Sequence, residues 1–241
     1  AFYILDQLLP PAQMFAYGWR IPYLLAFIIL VIGIYIRERI PETPLFVVAQ
    51  KEKKIVKLPV KELIAKHWRP LLLGTLITGS SGTFFYVGAT LIPSVFELSK
   101  IVSVSFAQIG IILFAVADII FVFLGGIASE RYGRRMMVIL ANIIFLAIVY
   151  PSFYIKTATA FLLFMFLYGV AHGTGYAPLG SMISEIFPTN VRYSGNSMAY
   201  QFGNAFVAGP ASFVSLYLGA IAYPLLPVYA VAFSLIAIAS A

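Results

Sequence analysis

The sequence predicts an all-α protein that crosses a membrane several times, and three observations lead to that prediction. Of the 241 residues, 61% are hydrophobic and 10% are charged, with a mean hydropathy of +0.96, whereas soluble domains are about 45–50% apolar and about 25% charged. The apolar residues also occur in long blocks bounded by charge. Several blocks exceed the roughly 20 residues that a helix needs to cross about 30 Å of hydrocarbon.

Seven membrane-spanning helices follow from these blocks. Charged residues mark most of the boundaries, and one span contains Asp118 as its single charge. The last block, which starts at residue 193, is too long for one helix. Pro224 and Pro227 divide it in two, because a break in backbone hydrogen bonding belongs at the membrane surface. The predicted spans are residues 20–37, 70–93, 106–128, 136–155, 159–184, 193–217 and 224–241.

Both ends of the chain suggest a piece of a longer protein. Residues 1–9 resemble the tail of a preceding helix, and Ala1 is followed by neither a basic n-region nor a cleavage site, so no signal peptide is expected. The last span reaches Ala241 without a polar flank. We therefore expect the sequence to continue beyond both ends.

The basic residues lie on alternate connections between the spans. Thirteen of the sixteen Lys and Arg residues fall on one side of the predicted topology, which leaves Arg20, Lys100 and Lys156 for the other. The positive-inside bias places the connection 38–68 in the cytoplasm, in a multi-pass protein of the plasma membrane. The net charge of +7 follows from this topology. We expect a lipid bilayer, and no nucleic acid, as partner.

One long polar stretch, residues 38–68, separates the spans into two groups. Pro41, Pro44 and Pro59 interrupt it. After Pro59, we predict an amphipathic helix at the membrane interface, on which the apolar residues at helical spacing are Val60, Leu63, Ile64 and Trp68. Its lysines could bind anionic lipid, but a solvated connector near the surface is the favoured interpretation. The predicted domains are residues 1–37, the linker 38–68 and a six-helix bundle at 69–241.

The connection after the third span is short and strongly charged. It reads Gly125-Gly126-Ile127-Ala128-Ser129-Glu130-Arg131-Tyr132-Gly133-Arg134-Arg135, a tight turn that Gly133 permits. A connection that only fixed the orientation of the two helices would need basic residues, but not this order of glycine, acidic and basic residues. The order resembles the loop signature of the major facilitator superfamily, G-x-x-x-D-R-x-G-R-[RK], at Gly126, Glu130, Arg131, Gly133, Arg134 and Arg135. Glu130 stands where Asp is usual, which conserves the charge.

Further segments support this resemblance and narrow it. The segment from Glu185 to Gly195 is similar to the superfamily's E-x-F-P-x-x-x-R-x-x-G motif, with Arg192 as its arginine. The segments GWRIPYLL and PETPLF, which begin at Gly18 and Pro41, resemble the metabolite:proton symporters, carriers of organic acids and of zwitterions such as proline or betaine. Sugar porters typically have R-W where Leu45-Phe46 stand and a Gln pair that the segment Thr78-Gly79-Ser80-Ser81-Gly82 lacks.

The resemblance covers essentially the whole chain and implies a fold and a mechanism. The fold is a twelve-helix carrier built from two six-helix bundles, of which this chain holds about helices 6–12. In such carriers the bundles rock about a midplane site and give alternating access. The missing N-terminal bundle of the same protein is therefore an expected partner. The gating role of the loop signature transfers to its six matching residues, and Glu185 and Arg192 lie on the same predicted face.

We therefore expect a secondary transporter that moves a small polar metabolite, an organic acid or a zwitterion, by proton symport. A sugar or other-solute porter of the same superfamily is the alternative, and a channel or a non-transporting membrane subunit is a more remote one. An enzyme is not expected, because the sequence has no cysteine, no H-E-x-x-H motif and no paired metal ligands. No cofactor, metal site or catalytic residue is predicted.

Two ionisable residues are predicted at the depth of the hydrocarbon, where such side chains are costly and therefore functional candidates. Asp118 lies near the middle of the span 106–128, and His172 near the middle of the span 159–184. Burial disfavours a charged carboxylate and histidine titrates near neutral pH, so either could carry the coupled proton. The alternatives are a carboxylate paired inside the bundle and a histidine that serves helix packing, which Gly169-x-x-x-Gly173 favours.

Polar residues inside the spans are candidates for the substrate pathway. They are Tyr86, Tyr200, Gln201 and Asn204, and Tyr200 and Asn204 are four residues apart on one helix face. The segment Gly173 to Pro178 and the pair Gly209-Pro210 should weaken helices inside their spans, and broken helices tend to line cavities. Simple contact between helices is the alternative for each of these residues.

Overall fold

The computed structural model describes residues 2–39 and 59–241. Across these two ranges, seven helices are long and apolar enough to cross a membrane, and they coincide with the seven predicted spans. Every regular element in the described ranges is helical. The prediction of an all-α polytopic membrane protein is therefore confirmed. The described residues form two compact units, one of residues 2–39 and one of residues 59–241.

The first unit contains two short helices and one long one. α1 (Phe2–Leu8) and α2 (Pro11–Ala16) are separated by a proline at position 10, and α3 (Gly18–Arg39) begins with a 3₁₀ turn. In that turn the Arg20 guanidinium lies 4.3 Å from the centroid of the Trp19 ring, which is a cation–π contact. The α-helical part of α3 has no buried residue among the described parts of the chain, as expected for a helix whose apolar sides meet lipid or other helices.

The second unit contains a short helix followed by six of membrane length. They are α4 (Pro59–Lys66), α5 (Trp68–Leu98), α6 (Val104–Tyr132), α7 (Arg134–Ser152), α8 (Ala158–Ile186), α9 (Arg192–Ile221) and α10 (Tyr223–Ser240). The predicted division at Pro224 and Pro227 is confirmed, because both prolines lie in the irregular first turns of α10. α5 continues to Leu98, beyond the predicted end at 93. Pro93 lies in the first turn of its last segment, where a proline needs no N–H partner.

α4 coincides with the predicted amphipathic helix, but its apolar residues are not all on one buried face. Leu63 is fully buried and packs with Leu71 and Ile183 in a small apolar cluster of the second unit. Val60 and Ile64 are about half exposed, and Trp68 belongs to α5. Leu63 is thus the one buried residue among the described side chains of α4, and it packs this helix against the rest of the second unit. The prolines at 41 and 44 of the predicted linker lie outside the described residues.

Aromatic side chains form the core of the second unit. Phe84 of α5 stacks on Phe145 of α7 with ring centroids 3.9 Å apart, and Tyr168 of α8 meets Phe145 edge-on at 5.7 Å. All three side chains are buried. The Tyr168 hydroxyl is hydrogen-bonded to Ser152 at 2.8 Å, which satisfies its polar atom inside the core. These contacts join α5, α7 and α8.

Three of the long helices are irregular inside their spans. α8 has a turn at Ala177-Pro178, and Gly209-Pro210 interrupts α9, so both predicted weak points are confirmed. Two π-helical turns, Val87–Leu91 in α5 and Gly203–Ala208 in α9, were not predicted. Each lies just before a proline, whose ring nitrogen cannot donate, so a shift in hydrogen-bond register accommodates the missing donor.

Candidate functional site

Asp118 and His172 form a hydrogen-bonded pair inside the second unit. The Asp118 Oδ1 atom lies 2.7 Å from His172 Nδ1, and the two side chains are 21% and 8% exposed. Asp118 is near the middle of α6 and His172 near the middle of α8. The sequence predicted each residue as a separate proton-coupling candidate. The structure brings both together into one acid–base pair at the centre of the apolar spans.

Two glycines on α8 allow this pair to form. A Cβ at Gly169 would lie 2.4 Å from the Phe114 carbonyl oxygen, and one at Gly173 would be similarly close to the backbone of Asp118 and Val122. α6 and α8 therefore pack backbone against backbone, which is the usual consequence of a G-x-x-x-G pattern in a membrane helix. The sequence offered close helix packing as an alternative to a functional role for His172. In the structure, that packing is what brings the His172 ring to Asp118.

Aromatic rings surround the imidazole of His172. Tyr176, one turn further along α8, stacks on it with centroids 5.2 Å apart and an interplanar angle of 24°. The rings of Phe85 and Phe114 lie at 5.6 and 6.1 Å. These contacts restrict the ring's rotation and exclude water from most of its surface.

The Asp118–His172 pair faces a cavity of about 360 Å³, the central cavity. Besides that pair, it is lined by Thr78, Ser81, Gly82, Phe85, Tyr86, Tyr176, Leu179, Tyr200 and Asn204. Three of the four predicted pathway residues are therefore in its wall. The fourth, Gln201, lines a neighbouring cavity of about 440 Å³, the connecting cavity, together with Asn196 and Ser197. Tyr176, Leu179 and Tyr200 line both cavities and so stand at their boundary.

A third cavity continues from the connecting cavity to the charged motif residues. It shares Ala177, Gly180 and Asn196 with the connecting cavity, and its wall also contains Arg134, Glu185 and Arg192. The three cavities therefore adjoin one another, from the Asp118–His172 pair near the middle of the second unit to the loop motifs. Ionisable residues at membrane depth almost always face the interior of a bundle or a water-filled cavity.

The structure joins the two loop motifs through one ion pair. Arg134 Nη1 donates to Glu185 Oε1, so the loop signature at the α6–α7 connection contacts the motif that begins in the last turn of α8. Arg192 folds back on its own loop, with Nε 3.3 Å from the Phe187 carbonyl oxygen. Gly133 separates α6 from α7 with φ +90°, a conformation that L side chains rarely adopt.

The other signature residues are not brought into this pair. The guanidinium carbon of Arg131 lies 5.4 Å from the centroid of the ring of its neighbour Tyr132. Glu130 and Arg135 are exposed and take part in no ion pair with any other described residue. A Cβ at Gly126 would meet open space. The gating role expected of Glu130 remains a prediction, and in this structure it is Glu185 that accepts a hydrogen bond from arginine.

Several residues of the central cavity were not predicted. Thr78, Ser81, Gly82 and Phe85 lie at i, i+3, i+4 and i+7 on α5, so a small-and-polar stripe on one helix face was present in the sequence as a signal. Tyr176 is four residues after His172 and shares its face.

Comparison with known proteins identifies the family. The model of the Major Facilitator Superfamily matches residues 80–241, about two thirds of the chain. The chain belongs to this superfamily. The resemblance inferred from the two loop motifs is therefore confirmed, and the seven spans are part of a twelve-helix carrier fold.

Individual relatives agree with the predicted subfamily. The inner membrane metabolite transport protein YhjE of Escherichia coli strain K12 is 30% identical over 90% of this chain and 51% of its own length. The ectoine/proline transporter ProP of Corynebacterium glutamicum is 30% identical over 84% of the chain and 43% of its own length. The citrate-proton symporter of Klebsiella pneumoniae is 26% identical, over 86% and 47% respectively. The chain thus spans about half the length of these curated relatives. No solved structure matches it.

Proposed function

We propose that this chain is part of a proton symporter that moves a small polar metabolite, an organic acid or a zwitterion, by alternating access. The observation that carries the proposal is the Asp118–His172 pair in the wall of the central cavity. Ionisable groups at bilayer depth are costly, and they are therefore functional candidates by default. The names of the relatives, which include a citrate-proton symporter and an ectoine/proline transporter, support the solute class.

The pair can hold and release one proton within the cavity. With His172 neutral and donating from Nδ1 to the Asp118 carboxylate, the pair carries one negative charge. One added proton makes it neutral, as an imidazolium beside a carboxylate or as two uncharged groups. Because an uncompensated charge is far more costly in a closed, dry cavity than in an open one, protonation would favour closure around the solute. The dependence of closure on protonation would couple proton movement to solute transport.

The central cavity suits a small polar solute. Its wall offers hydroxyl groups from Tyr86 and Tyr200 and the amide of Asn204, and it also has the apolar surface of Phe85 and Leu179. Mostly apolar walls with a few placed polar groups are typical of sites for small ligands. Half of the solute's contacts would come from the N-terminal bundle of the same protein, the proposed partner of this chain in the membrane.

We further propose that the loop motifs control which side of the carrier is open. The Arg134–Glu185 pair links the ends of α7 and α8, and it would break when the cytoplasmic side rearranges. Glu130, Arg131 and Arg135 would make their contacts with the other bundle. Gly126, Gly133 and Arg192 would shape the connections. The asymmetric distribution of basic residues supports a cytoplasmic position for these loops and for the linker 38–68, in a protein of the plasma membrane.

Uptake by the complete carrier in proteoliposomes tests the function. A panel of radiolabelled organic acids, proline, betaine and sugars would identify the solute, and its uptake should rise with an inward proton gradient and collapse with protonophore. Asp118→Asn and His172→Ala should abolish the response to the gradient. Glu97→Gln, an exposed carboxylate outside the cavities, and His67→Ala, in the connection before α5, are the matched controls. Uptake indifferent to pH and protonophore, or unaltered by both site variants, would refute proton symport.

Solute counterflow separates a carrier from a channel. Proteoliposomes loaded with unlabelled solute should transiently accumulate labelled solute above its equilibrium level. The binding site of a carrier faces one side at a time, so each labelled molecule that enters is exchanged for an unlabelled one that leaves. A channel would equilibrate the label without any overshoot. Absence of the overshoot, in liposomes that otherwise take up the solute, would therefore contradict alternating access.

A further inference from the structure

Ser81 has a buried hydroxyl that makes no hydrogen bond with the described residues. The residue is 6% exposed, it lies on α5, and its Oγ is inaccessible and without a partner. It is also in the wall of the central cavity, as are Asp118 and His172. Ser215 and Ser234 also have buried hydroxyls without a partner among the described residues, but neither lines the central cavity. Nearly all buried polar side chains in native proteins are hydrogen-bonded, so an unpaired hydroxyl in the wall of a cavity points to a partner that arrives with a ligand.

The neighbouring hydroxyls on α5 show that this arrangement is specific to Ser81. Thr75 and Thr83 donate to the carbonyl oxygens four residues earlier at 2.7 and 2.8 Å. The Thr78 hydroxyl lies 2.8 Å from the Gly74 carbonyl oxygen and 2.9 Å from that of Ala199. A serine in a helix can form the same bond to its own preceding turn. Ser81 alone among these α5 residues does not form it.

Ser80 provides the closest comparison. It is adjacent in sequence and fully buried, but its Oγ donates to Asn142 Oδ1 at 3.0 Å, away from the central cavity. The same side chain thus has a structural role at position 80, and no structural partner at position 81. Hydrogen bonding between α5 and α7 accounts for the first serine, and no contact among the described residues accounts for the second.

We propose that Ser81 is a substrate-contacting residue, whose hydroxyl rotates toward the central cavity and hydrogen-bonds an oxygen-bearing polar group of the solute, a hydroxyl or a carboxyl. This inference rests on the proposed function, since it assumes that a solute occupies the central cavity. Asn204 would assist, because its amide nitrogen already donates to the Tyr200 carbonyl oxygen at 2.9 Å and leaves Oδ1 free to accept. That Oδ1 lies beside the backbone next to Ser81, where a Cβ at Gly82 would be 2.9 Å from it. Ser81 then selects solutes by this oxygen-bearing group, and the Asp118–His172 pair takes up the proton.

Substitutions of Ser81 and Ser80 should have opposite effects in the complete carrier. Ser81→Ala should raise the KM for the transported solute roughly two- to tenfold, the value of one hydrogen bond, with the maximal rate kept. Its melting temperature should stay the same or rise, because an unsatisfied buried hydroxyl is removed. Ser80→Ala should lower the melting temperature, since it leaves Asn142 without its partner, and should keep KM unchanged. An unchanged KM in Ser81→Ala would overturn the proposal.

A second measurement does not depend on transport kinetics. This chain has no cysteine, so Ser81→Cys in a carrier whose other cysteines are replaced gives a single thiol in the cavity wall. Its reaction with a small methanethiosulfonate reagent should be slowed by saturating solute. Lack of protection by a solute that is transported would refute the contact. Protection would persist in a carrier without proton coupling, so failure of this proposal and failure of proton symport are distinguishable.

Discussion

Gly173 of α8 lies directly against the backbone of Asp118 in α6. A Cβ at position 173 would be 2.5 Å from the Asp118 carbonyl oxygen and 2.9 Å from the Val122 nitrogen, distances that real Cβ atoms do not tolerate. Because the contact is with backbone, no rotamer change could relieve it. The approach of α8 that places His172 Nδ1 at 2.7 Å from Asp118 therefore depends on the absence of a side chain at its neighbour.

Gly173→Ala should separate α8 from α6 and weaken the Asp118–His172 bond. We expect a loss of roughly 1–3 kcal/mol in the free energy of unfolding, as for other overpacked sites, together with loss of proton-dependent uptake. Thermal unfolding in detergent and uptake in proteoliposomes measure the two effects. Gly33→Ala is the matched control, because a Cβ there meets nothing within 4 Å. Wild-type stability in Gly173→Ala would show that the helices can adjust and would contradict this account.

The Asp118–His172 bond should appear as an energetic coupling. Either Asp118→Asn or His172→Gln alone changes the charge or the geometry of a pair in which both side chains are mostly buried. The double variant removes both partners, so its destabilisation should be less than the sum of the single effects, by roughly 0.5–3 kcal/mol. A double-mutant cycle of thermal unfolding measures this difference. Strict additivity would mean that the two groups do not interact in the folded carrier.

The site shows where sequence reasoning succeeds and where it ends. Asp118 and His172 could be found because charge inside an apolar span is costly whatever its neighbours. Their pairing could not, since it joins residues 54 positions apart through the packing of two helices. Ser81 carried no such signal, because serine is ordinary in a membrane helix and only the three-dimensional contacts show that its hydroxyl is unpaired.

The two glycines of the loop signature should differ in their tolerance to substitution. The family resemblance gives Gly126 and Gly133 equal weight, and a Cβ at either would meet open space, but only Gly133 has a positive φ, of +90°. Gly133→Ala should therefore cost about 1–3 kcal/mol of conformational strain. Gly126→Ala, in the regular part of α6, should keep or raise stability. Chemical or thermal unfolding of both variants measures this, and equal losses would contradict the assignment.

The Arg134–Glu185 pair should matter more for function than for stability. Its side chains are 38% and 66% exposed, and an ion pair in contact with water contributes at most about 1 kcal/mol. Glu185→Gln should thus leave the melting temperature nearly unchanged, but alter the rate of solute exchange. The reversed pair, Arg134→Glu with Glu185→Arg, should restore that rate, whereas Lys156→Gln, at an exposed position outside the loop motifs, should not affect it. A large loss of stability in Glu185→Gln would show that the pair holds the fold.

Tyr176 and Tyr200 should control passage between the central and connecting cavities. Their hydroxyls are 3.4 Å apart, they belong to different helices, and both line both cavities. Tyr176 also stacks on His172, so a change in the acid–base pair can reach this constriction through one ring contact. Replacing either tyrosine with alanine should open the passage without removing the pair itself.

Thiol labelling in the complete carrier tests this constriction. An impermeant reagent applied on the side that carries Arg134 should modify Ser81→Cys severalfold faster when Tyr176→Ala or Tyr200→Ala is added. The rate for Gln201→Cys, which lies in the connecting cavity, should not change, because the reagent reaches it before the tyrosines. Tyr193→Ala, at an 86% exposed position, is the control for loss of a tyrosine elsewhere. Equal labelling of Ser81→Cys in all backgrounds would mean that the two cavities are already continuous, since a constriction that limits access must raise the rate when it is removed.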